Sequence, residues 1–358
     1  MPDSIIDTSR RFFEQVLRPI IAEHHPQILQ ETAFGVFGYG SEVLGLDDEY
    51  SRDHHWGVRV NALMSEEAFA QRQAVLDTLQ ANLPESFEGH SLREGYSASA
   101  AIEPDSLADY LTRTIGLTHA PQTFEEWLSI PEEDIIHIVN GEVWLDPSGE
   151  FTALREHFSE YYPEPVRLRR IAHWCRFFSG MGVYALKRAL LRDNEYYANI
   201  TFSRALRLGV QIAFMLDRRY FPYDKWTMAF FRRLPRMAQP LQPIVDEAVS
   251  LDTPWERKLE LLHDLSDVLD ETMVADGVIA PHPPYEASPT SGYRLLEHAY
   301  AEILQGLPEE IRSIVPVWDQ IYMERFHSNY VASLPLDHWD SILNLTPAGE
   351  QQQEETSA

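Results

Sequence analysis

Cysteine is almost absent from this sequence, which holds one such residue, Cys175. An intrachain disulfide needs two cysteines, and a zinc site built from cysteines needs more than one. The chain is therefore expected to fold without either cross-link, as suits a reducing compartment such as the cytoplasm. No Cys/His spacing of the zinc-finger type occurs, and no internal repeat was found.

Basic residues are also scarce. Lysine and arginine total 29 against 56 acidic residues, which gives a formal charge of −27. The average surface field should repel phosphate backbones and anionic membranes, so nucleic acid is an unlikely partner. A local group such as Arg167, Arg169 and Arg170 remains able to hold one small anion.

Long apolar runs are missing as well. No stretch approaches the roughly 18 apolar residues of a membrane span, and the first 17 residues carry Asp3 in place of an apolar signal core. We expect a soluble, cytoplasmic protein without a membrane partner. An apolar content of 44% is enough for one large or two medium cores.

Apolar spacing in the first part of the chain predicts a mixed sheet backed by helices. A helix over 4–29 opens it, and Ser65 and Pro104 start two further helices, the second ending near 115. Strands are predicted over 33–39, 56–64, 86–92 and 96–102. A hairpin, 135–139 with 143–145, is predicted around Asn140-Gly141.

The rest of the chain is predicted to be a helical bundle. The expected helices cover 166–192, 195–219, 224–234, 240–251, 254–274 and 290–305. The fold class is thus predicted as α+β, with one domain over 1–148, a helical domain over 149–348 and a disordered tail over 349–358.

The segment that follows the first predicted strand carries candidate chemistry. Gly40 would let backbone N–H groups approach phosphate oxygens, and Ser41 would add a hydroxyl. Acidic side chains at alternate positions of the next strand would point to one side and hold Mg²⁺ against a triphosphate.

These residues resemble the nucleotidyltransferase superfamily with the polymerase-beta-like fold, whose signature is Gly-Ser, a spacer and Asp-x-Asp/Glu. Residues 38–59, with Asp53-His54-His55-Trp56-Gly57, are similar to its bacterial and fungal branch, known only as a domain of unknown function. The resemblance continues through Ile-Pro-Glu at 130–132, Tyr-Tyr-Pro at 161–163, Arg-Asp at 192–193 and the aromatic stretch 220–226.

The resemblance implies a set of site residues. Gly40 and Ser41 match the phosphate turn, Asp53 matches the first carboxylate, and His55 occupies the position of the second. Glu103 matches the third carboxylate. Asp53, Glu103 and His55 would then hold Mg²⁺ or Mn²⁺ and act in catalysis; the phosphate contacts would come from Gly40, Ser41, Arg52, Arg59 and Lys225.

His55 leaves three interpretations open, because a neutral imidazole binds Mg²⁺ poorly and softer ions better. One of Asp47, Asp48 and Glu49 replaces the missing carboxylate, the site uses a metal other than Mg²⁺, or the protein binds a nucleotide without turning it over.

Structural interpretations compete with each functional one. The acids at 47–49 suit a solvated turn, and Arg52 and Arg59 suit ion pairs with the surplus acids. Glu103, just before Pro104, suits a charge at a helix N-terminus. Lys225 suits a surface position, and the glycines at 180 and 182 suit close helix packing.

Two functions are therefore predicted. The first is metal-dependent transfer of a nucleoside monophosphate from a nucleoside triphosphate to a hydroxyl of a small molecule or a protein, in a cleft between the two domains. The second is an inactive homologue that senses a nucleotide or binds a protein. The charge of −27 favours a small-molecule acceptor over RNA.

Overall fold

A computed structural model describes residues 4–52, 56–92, 101–283 and 296–314. The fold is α+β, as predicted, with a mixed sheet in the N-terminal part followed by helices. The described chain divides into two compact units, the first made of residues up to 121 together with 137–159, and the second of 122–136 with 160–314. The predicted domain bounds stay a prediction.

The first unit contains six strands and the helices that surround them. Its strands are β1 (Thr32–Val36), β2 (Val60–Met64), β3 (Ser86–Phe87), β4 (His90–Ser91), β5 (Ile102–Ser106) and β6 (Glu142–Leu145). Its helices are α1 (Ile5–Phe12), α2 (Arg18–His24), α3 (Glu66–Phe69), α4 (Arg72–Asn82), α5 (Leu107–Ile115), α7 (Ile136–Val139) and α8 (Glu150–Ser159). Helix α7 begins one residue before this unit, and α6 (Phe124–Ser129) belongs to the second unit. A π-helical turn, Phe13–Leu17, joins α1 to α2.

Four strands form the mixed sheet in the order β5-β2-β1-β6. β1 runs antiparallel to both β2 and β6, whereas β2 and β5 are parallel. In this register Asn61 of β2 lies opposite Gly35 of β1 on one side and Glu103 of β5 on the other.

The two faces of this sheet differ in chemistry, because successive strand residues point to opposite sides. One face presents Phe34, Val60, Ala62 and Ile102, which pack with the apolar side of the first helices into a buried core. Asn61 and Glu103 lie on the other face. The sheet is therefore held by its apolar face and carries polar groups on the opposite one.

The predicted hairpin at Asn140-Gly141 is wrong. Ile136–Val139 is a short helix, and β6 pairs with β1 rather than with the preceding segment. A run of four or five apolar residues fits a buried helix and a buried strand equally well, and only its neighbours decide between them.

Two other predicted elements differ in extent. The segment 86–92 is a small hairpin of β3 and β4, with positive φ angles at Glu88 and Gly89, rather than one strand. The helix predicted from Pro104 begins at Leu107, because the Ser106 side chain accepts from the Asp109 backbone N–H and caps it there. Pro104 lies in β5, and this position at the sheet edge tolerates a residue without an N–H group.

The second unit is helical, as predicted. Its helices are α6 (Phe124–Ser129), α9 (Glu164–Phe177), α10 (Ala185–Leu190), α11 (Glu195–Leu216), α12 (Thr227–Phe231), α13 (Ala238–Val249), α14 (Trp255–Ala275), α15 (Glu297–Gly306) and α16 (Glu309–Arg312). A π-helical segment, Phe178–Tyr184, joins α9 to α10. Within the described ranges, no helix is long and apolar enough to cross a membrane.

Helix packing explains one of the two glycines in this joined helix. A β-carbon at Gly182 would lie 2.7 Å from the β-carbon of Ala205 in α11, so the close approach of the two helices excludes a side chain. At Gly180 an added β-carbon meets no atom within 4 Å, and packing does not account for that residue.

Gly141 offers a test of how β6 is joined to β1. It has a φ of +78°, and an added β-carbon would overlap the carbonyl oxygen of Val36. Gly149 has a similar φ of +70° but open space around it. We expect Gly141→Ala to lower the free energy of unfolding by more than about 2 kcal/mol, and Gly149→Ala by about 1 kcal/mol. Equal losses in urea unfolding would contradict this explanation.

Candidate functional site

The loop after β1 is a tight turn whose conformation requires glycine. Gly38 has a φ of +84° and Gly40 a φ of +142°. A β-carbon at Gly40 would overlap the carboxylate of Glu42. Ser41 is buried, and its carbonyl oxygen accepts hydrogen bonds from the N–H groups of Leu44 (3.2 Å) and Leu46 (2.9 Å). The loop is thereby folded back on itself directly beyond the strand.

A buried histidine holds the start of this loop. The Gly38 N–H donates to the His137 carbonyl oxygen at 3.1 Å, and His137 Nδ1 lies 3.3 Å from the Gly38 carbonyl oxygen. Because a carbonyl only accepts, that geometry assigns the proton to Nδ1. The Tyr110 hydroxyl donates to the His137 carbonyl at 3.0 Å. Burial lowers the pKa of His137 to about 4, so the ring is neutral at pH 7.

Arg59, just before β2, ties the loop to the sheet through a buried ion pair. One guanidinium nitrogen lies 2.8 Å from Glu42 Oε1 and also donates to the Tyr39 carbonyl at 2.8 Å. The side chains of Arg59 and Glu42 are 6% and 7% exposed. A second guanidinium nitrogen lies 3.5 Å from Glu103 Oε2. Arg59 therefore bridges two acids from distant parts of the sequence.

The side-chain amide of Asn61, in β2, links this strand to β5 and to the loop after β1. Its Nδ2 donates to Glu103 Oε2 at 2.7 Å, and its Oδ1 accepts from the Phe37 N–H at 3.1 Å. The Glu103 side chain is 36% exposed, in contrast to the buried Glu42. One carboxylate of this group is therefore accessible to a ligand and is held in place by an amide and a guanidinium.

The structure brings together four of the residues predicted from the sequence. Gly40 and Ser41 form the loop, and Arg59 and Glu103 lie beside it on the polar face of the sheet. For the remaining predicted residues the site is not tested: Arg52 ends a 3-10 turn over 49–52, Lys225 belongs to the second unit, and Asp53 and His55 lie outside the described residues.

The structure bears on the structural interpretations of three residues, Arg59, Asp48 and Glu103. Arg59 makes the ion pairs that the acidic composition predicted. Asp48 forms a local turn, accepting from the backbone N–H groups of Tyr50 (3.0 Å) and Ser51 (2.9 Å). The helix-terminus interpretation of Glu103 is wrong, because Glu103 lies within β5 and α5 begins four residues later.

Sequence reasoning missed Glu42, Asn61 and His137. A lone acid after Gly-Ser and a lone asparagine in an apolar strand carry no signal of their own. Their partners are 17, 42 and 99 residues away along the chain. Only a correct strand register would have identified them.

Among the described residues, the side chains present are only a partial match for the Mg²⁺ or Mn²⁺ ion that the resemblance implies. Mg²⁺ and Mn²⁺ favour oxygen ligands, and Glu103 presents a partly exposed carboxylate. The neighbouring Arg59 competes for that carboxylate, although its own charge is balanced by Glu42. A divalent cation at Glu103 would be drawn to the carboxylate oxygen, Oε2, that now lies near an Arg59 guanidinium nitrogen.

An open cleft of about 670 Å³ lies along β6 and α8, at the other edge of the sheet from β5. Several of its charged side chains are engaged within the protein. Arg10 pairs with Glu142, and Arg155 donates to the backbone carbonyls of residues 138–141. Among the described residues, no predicted site residue lines this cleft.

The second unit has its own buried polar centre. Arg170 of α9 is fully buried and lies 3.3 Å from Glu132 Oε1. The Trp174 indole N–H donates to the same oxygen at 2.5 Å, and the Gln211 amide donates to Glu132 Oε2. Arg170 also donates to the backbone carbonyls of Trp127 (2.8 Å) and residue 130 (2.6 Å).

Aromatic rings surround this centre. The Arg170 guanidinium lies 5.1 Å from the ring centroid of Tyr162, which packs against Tyr161 and Tyr220 with centroids 4.8 and 5.1 Å apart. Burial raises the pKa of Tyr161 and Tyr162 well above the ordinary value. The Ile-Pro-Glu, Tyr-Tyr-Pro and aromatic motifs of the sequence thus meet around one ion pair.

Replacing His137 should alter how stability depends on pH. The folded chain keeps this ring neutral, whereas the unfolded chain takes up a proton below pH 6.5. Stability from the neutral ring is therefore present above pH 6.5 and is lost as the pH falls towards 4, by up to about 1.4 kcal/mol per pH unit. We expect the stability advantage of wild type over His137→Gln to shrink across that window in urea unfolding.

The exposed histidine of α2, His24, is the matched control. Its replacement, His24→Gln, should leave the pH dependence as in wild type. A stability difference between wild type and His137→Gln that is constant from pH 7 to pH 4 would contradict the assignment of a neutral buried ring.

Removing Arg170 should be among the most costly changes in the second unit. Arg170→Met leaves Glu132 buried without its cation, for which we expect a loss of about 3–5 kcal/mol in unfolding free energy. Adding Glu132→Gln to this variant should restore part of the loss. The exposed Arg188, changed to Met, is the control and should cost less than about 0.5 kcal/mol. Strict additivity of the two buried changes would rule out the proposed pairing.

The comparisons with known proteins give two matches. The model of a family described as Domain of unknown function (DUF4037) matches residues 127–227, the segment that contains the Arg170 centre. No curated protein matches. A solved structure, a nucleotidyltransferase-like protein from Exiguobacterium sibiricum, is 12% identical with a TM-score of 0.36, over 82% of this chain and 90% of that one.

Proposed function

We propose that this protein binds a nucleoside triphosphate and transfers its nucleoside monophosphate to a hydroxyl group in a metal-dependent reaction. The observation that carries the proposal is the meeting of the Gly40-Ser41 loop with Glu103 through Arg59 and Asn61. A phosphate-type turn and a partly exposed carboxylate are thereby held on one face of a sheet.

The loop supplies the phosphate-binding part of the proposal. The positive φ angles at Gly38 and Gly40 suit the concave backbone that binds anions through N–H groups. The loop is fixed before any ligand arrives, since His137 and Arg59 each hold one of its carbonyl oxygens. A preorganised loop does not have to be ordered by the ligand, which favours both binding and catalysis.

The acids supply the metal-binding part. Glu103 would hold the cation together with Asp53, and His55 would serve as a ligand or a base. When bound, Mg²⁺ or Mn²⁺ neutralises phosphate charge and stabilises the pyrophosphate leaving group. Arg59 acts as a positioning residue: it fixes the Glu103 carboxylate, and its own charge is balanced by Glu42.

The acceptor is proposed to be small or to be a protein side chain. A chain with a formal charge of −27 repels a polyanion such as RNA, and the repulsion grows with the number of phosphates. A single hydroxyl compound avoids most of this repulsion.

The test is calorimetric titration of the purified protein with each nucleoside triphosphate, first in Mg²⁺ and then in Mn²⁺. Glu103→Gln and Asp53→Ala should weaken metal-dependent binding at least about tenfold, because each removes a charged oxygen ligand. Asp77→Ala, an exposed acid on α4, is the control and should bind as wild type does.

Turnover is then measured as pyrophosphate release with candidate acceptors. Release that is lost in both carboxylate variants supports the transferase. Binding without release, which His55→Asp converts into release, would replace it with the nucleotide-sensing alternative. If no triphosphate binds in either metal, the nucleotide site is refuted.

A further inference from the structure

A cluster of two histidines and an aspartate lies in the second unit. Asp270 is on α14, His282 follows the end of that helix, and His298 is in the first turn of α15. One ligand-type atom from each of the three residues lies within 4.8 Å of the others. The proposed nucleotide site includes none of them.

The carboxylate of Asp270 is shared between the two imidazoles. Its Oδ2 lies 2.8 Å from His282 Nε2, and its Oδ1 lies 2.7 Å from His298 Nε2. The two ring centroids are 4.4 Å apart. Both histidines therefore direct the same nitrogen, Nε2, at one acid.

The backbone contact of His282 leaves its Nε2 directed at Asp270. His282 Nδ1 lies 2.8 Å from the Pro283 carbonyl oxygen, which only accepts, so Nδ1 carries a proton. In a neutral ring, Nε2 then presents a lone pair to a carboxylate oxygen. That contact is repulsive unless Nε2 also binds a proton or a metal ion lies there.

The same arrangement is the usual support of a metal-binding histidine. Such a histidine donates its second ring N–H to a backbone carbonyl or a carboxylate, which fixes the tautomer and aims the other nitrogen at the metal. The Pro283 carbonyl has that role towards His282. The side chains of Asp270, His282 and His298 are 19%, 24% and 20% exposed, so a cation can enter from solvent.

We propose that Asp270, His282 and His298 form a binding site for a divalent cation of the Zn²⁺ class. Two imidazole nitrogens and one carboxylate are a set that Zn²⁺ accepts and Mg²⁺ disfavours. Three protein ligands leave a fourth position for water or another small ligand. Zinc bonds of about 2.0–2.1 Å place two donor atoms about 3.3 Å apart in a tetrahedron. The Asp270 oxygens and the histidine nitrogens that they now contact at 2.7 and 2.8 Å would therefore separate by about 0.5 Å when the ion enters.

The site would join two consecutive helices, α14 and α15. Asp270 and His298 are 28 residues apart, and the ion would cross-link α14 to α15. The N-terminal end of α15 is also held by a hydrogen bond from the Leu296 N–H to Ser179 Oγ, at 2.9 Å. Bound metal should therefore stabilise this corner of the second unit, because it binds the folded chain preferentially.

The first test is calorimetric titration of the metal-free full chain with Zn²⁺. Wild type should bind one equivalent at this site, and Asp270→Asn and His298→Ala should weaken that binding at least about 100-fold. His24→Ala removes an exposed histidine of the first unit and should leave the affinity unchanged. Equal binding in all four proteins would overturn the proposal.

The Co²⁺ spectrum of the wild type is a second measurement, and it does not depend on whether a variant folds. Co²⁺ added to the metal-free wild type should give the visible absorption of a four-coordinate ion, and Zn²⁺ should abolish that absorption by displacement. Zn²⁺ should also raise the melting temperature of wild type but not that of Asp270→Asn. Wild type without a Co²⁺ spectrum would leave a metal-free, hydrogen-bonded group of two histidines around one carboxylate, and the site would be refuted.

Discussion

Removing the charges of an arginine and a glutamate from water costs free energy. In the second unit the attraction between the two charges and the hydrogen bonds around them offset that cost. Arg170 and Glu132 are both almost inaccessible to solvent, and each makes further hydrogen bonds to groups from other elements. Burial raises the pKa of Glu132, while Arg170 lowers it. Separating the two side chains inside the unit would leave each charge buried and unpaired, so the ion pair disfavours packings of these helices that part Arg170 from Glu132.

The first unit uses the same device on a smaller scale. Arg59 and Glu42 form a buried pair that fixes the loop after β1 and reaches Glu103. In both units an arginine is buried, although the protein has only 29 basic residues. Each of these arginines is buried with a glutamate, so the two pairs leave the net charge of the exposed surface strongly negative, which favours cations and small neutral or metal-bound ligands over polyanions.

The proposed nucleotide site and the histidine cluster would place different demands on a metal. The first offers carboxylate oxygen beside a loop suited to phosphates, which is the chemistry of Mg²⁺ and Mn²⁺. The second offers two imidazoles and one carboxylate, which is the chemistry of Zn²⁺. Selectivity between the two would then follow from ligand type, without either cation displacing the other.

The sequence by itself determined the α+β class, the long helices of the second unit and the Gly40-Ser41 turn, because helical periodicity and turn chemistry are local properties. It also indicated Glu103 and Arg59 through a family resemblance. Tertiary structure alone decided that residues 136–139 are helical, that Glu42 and Asn61 join the site, and that Asp270 meets His282 and His298. Those contacts join residues 12 to 42 positions apart, and only strand register and helix packing bring them together.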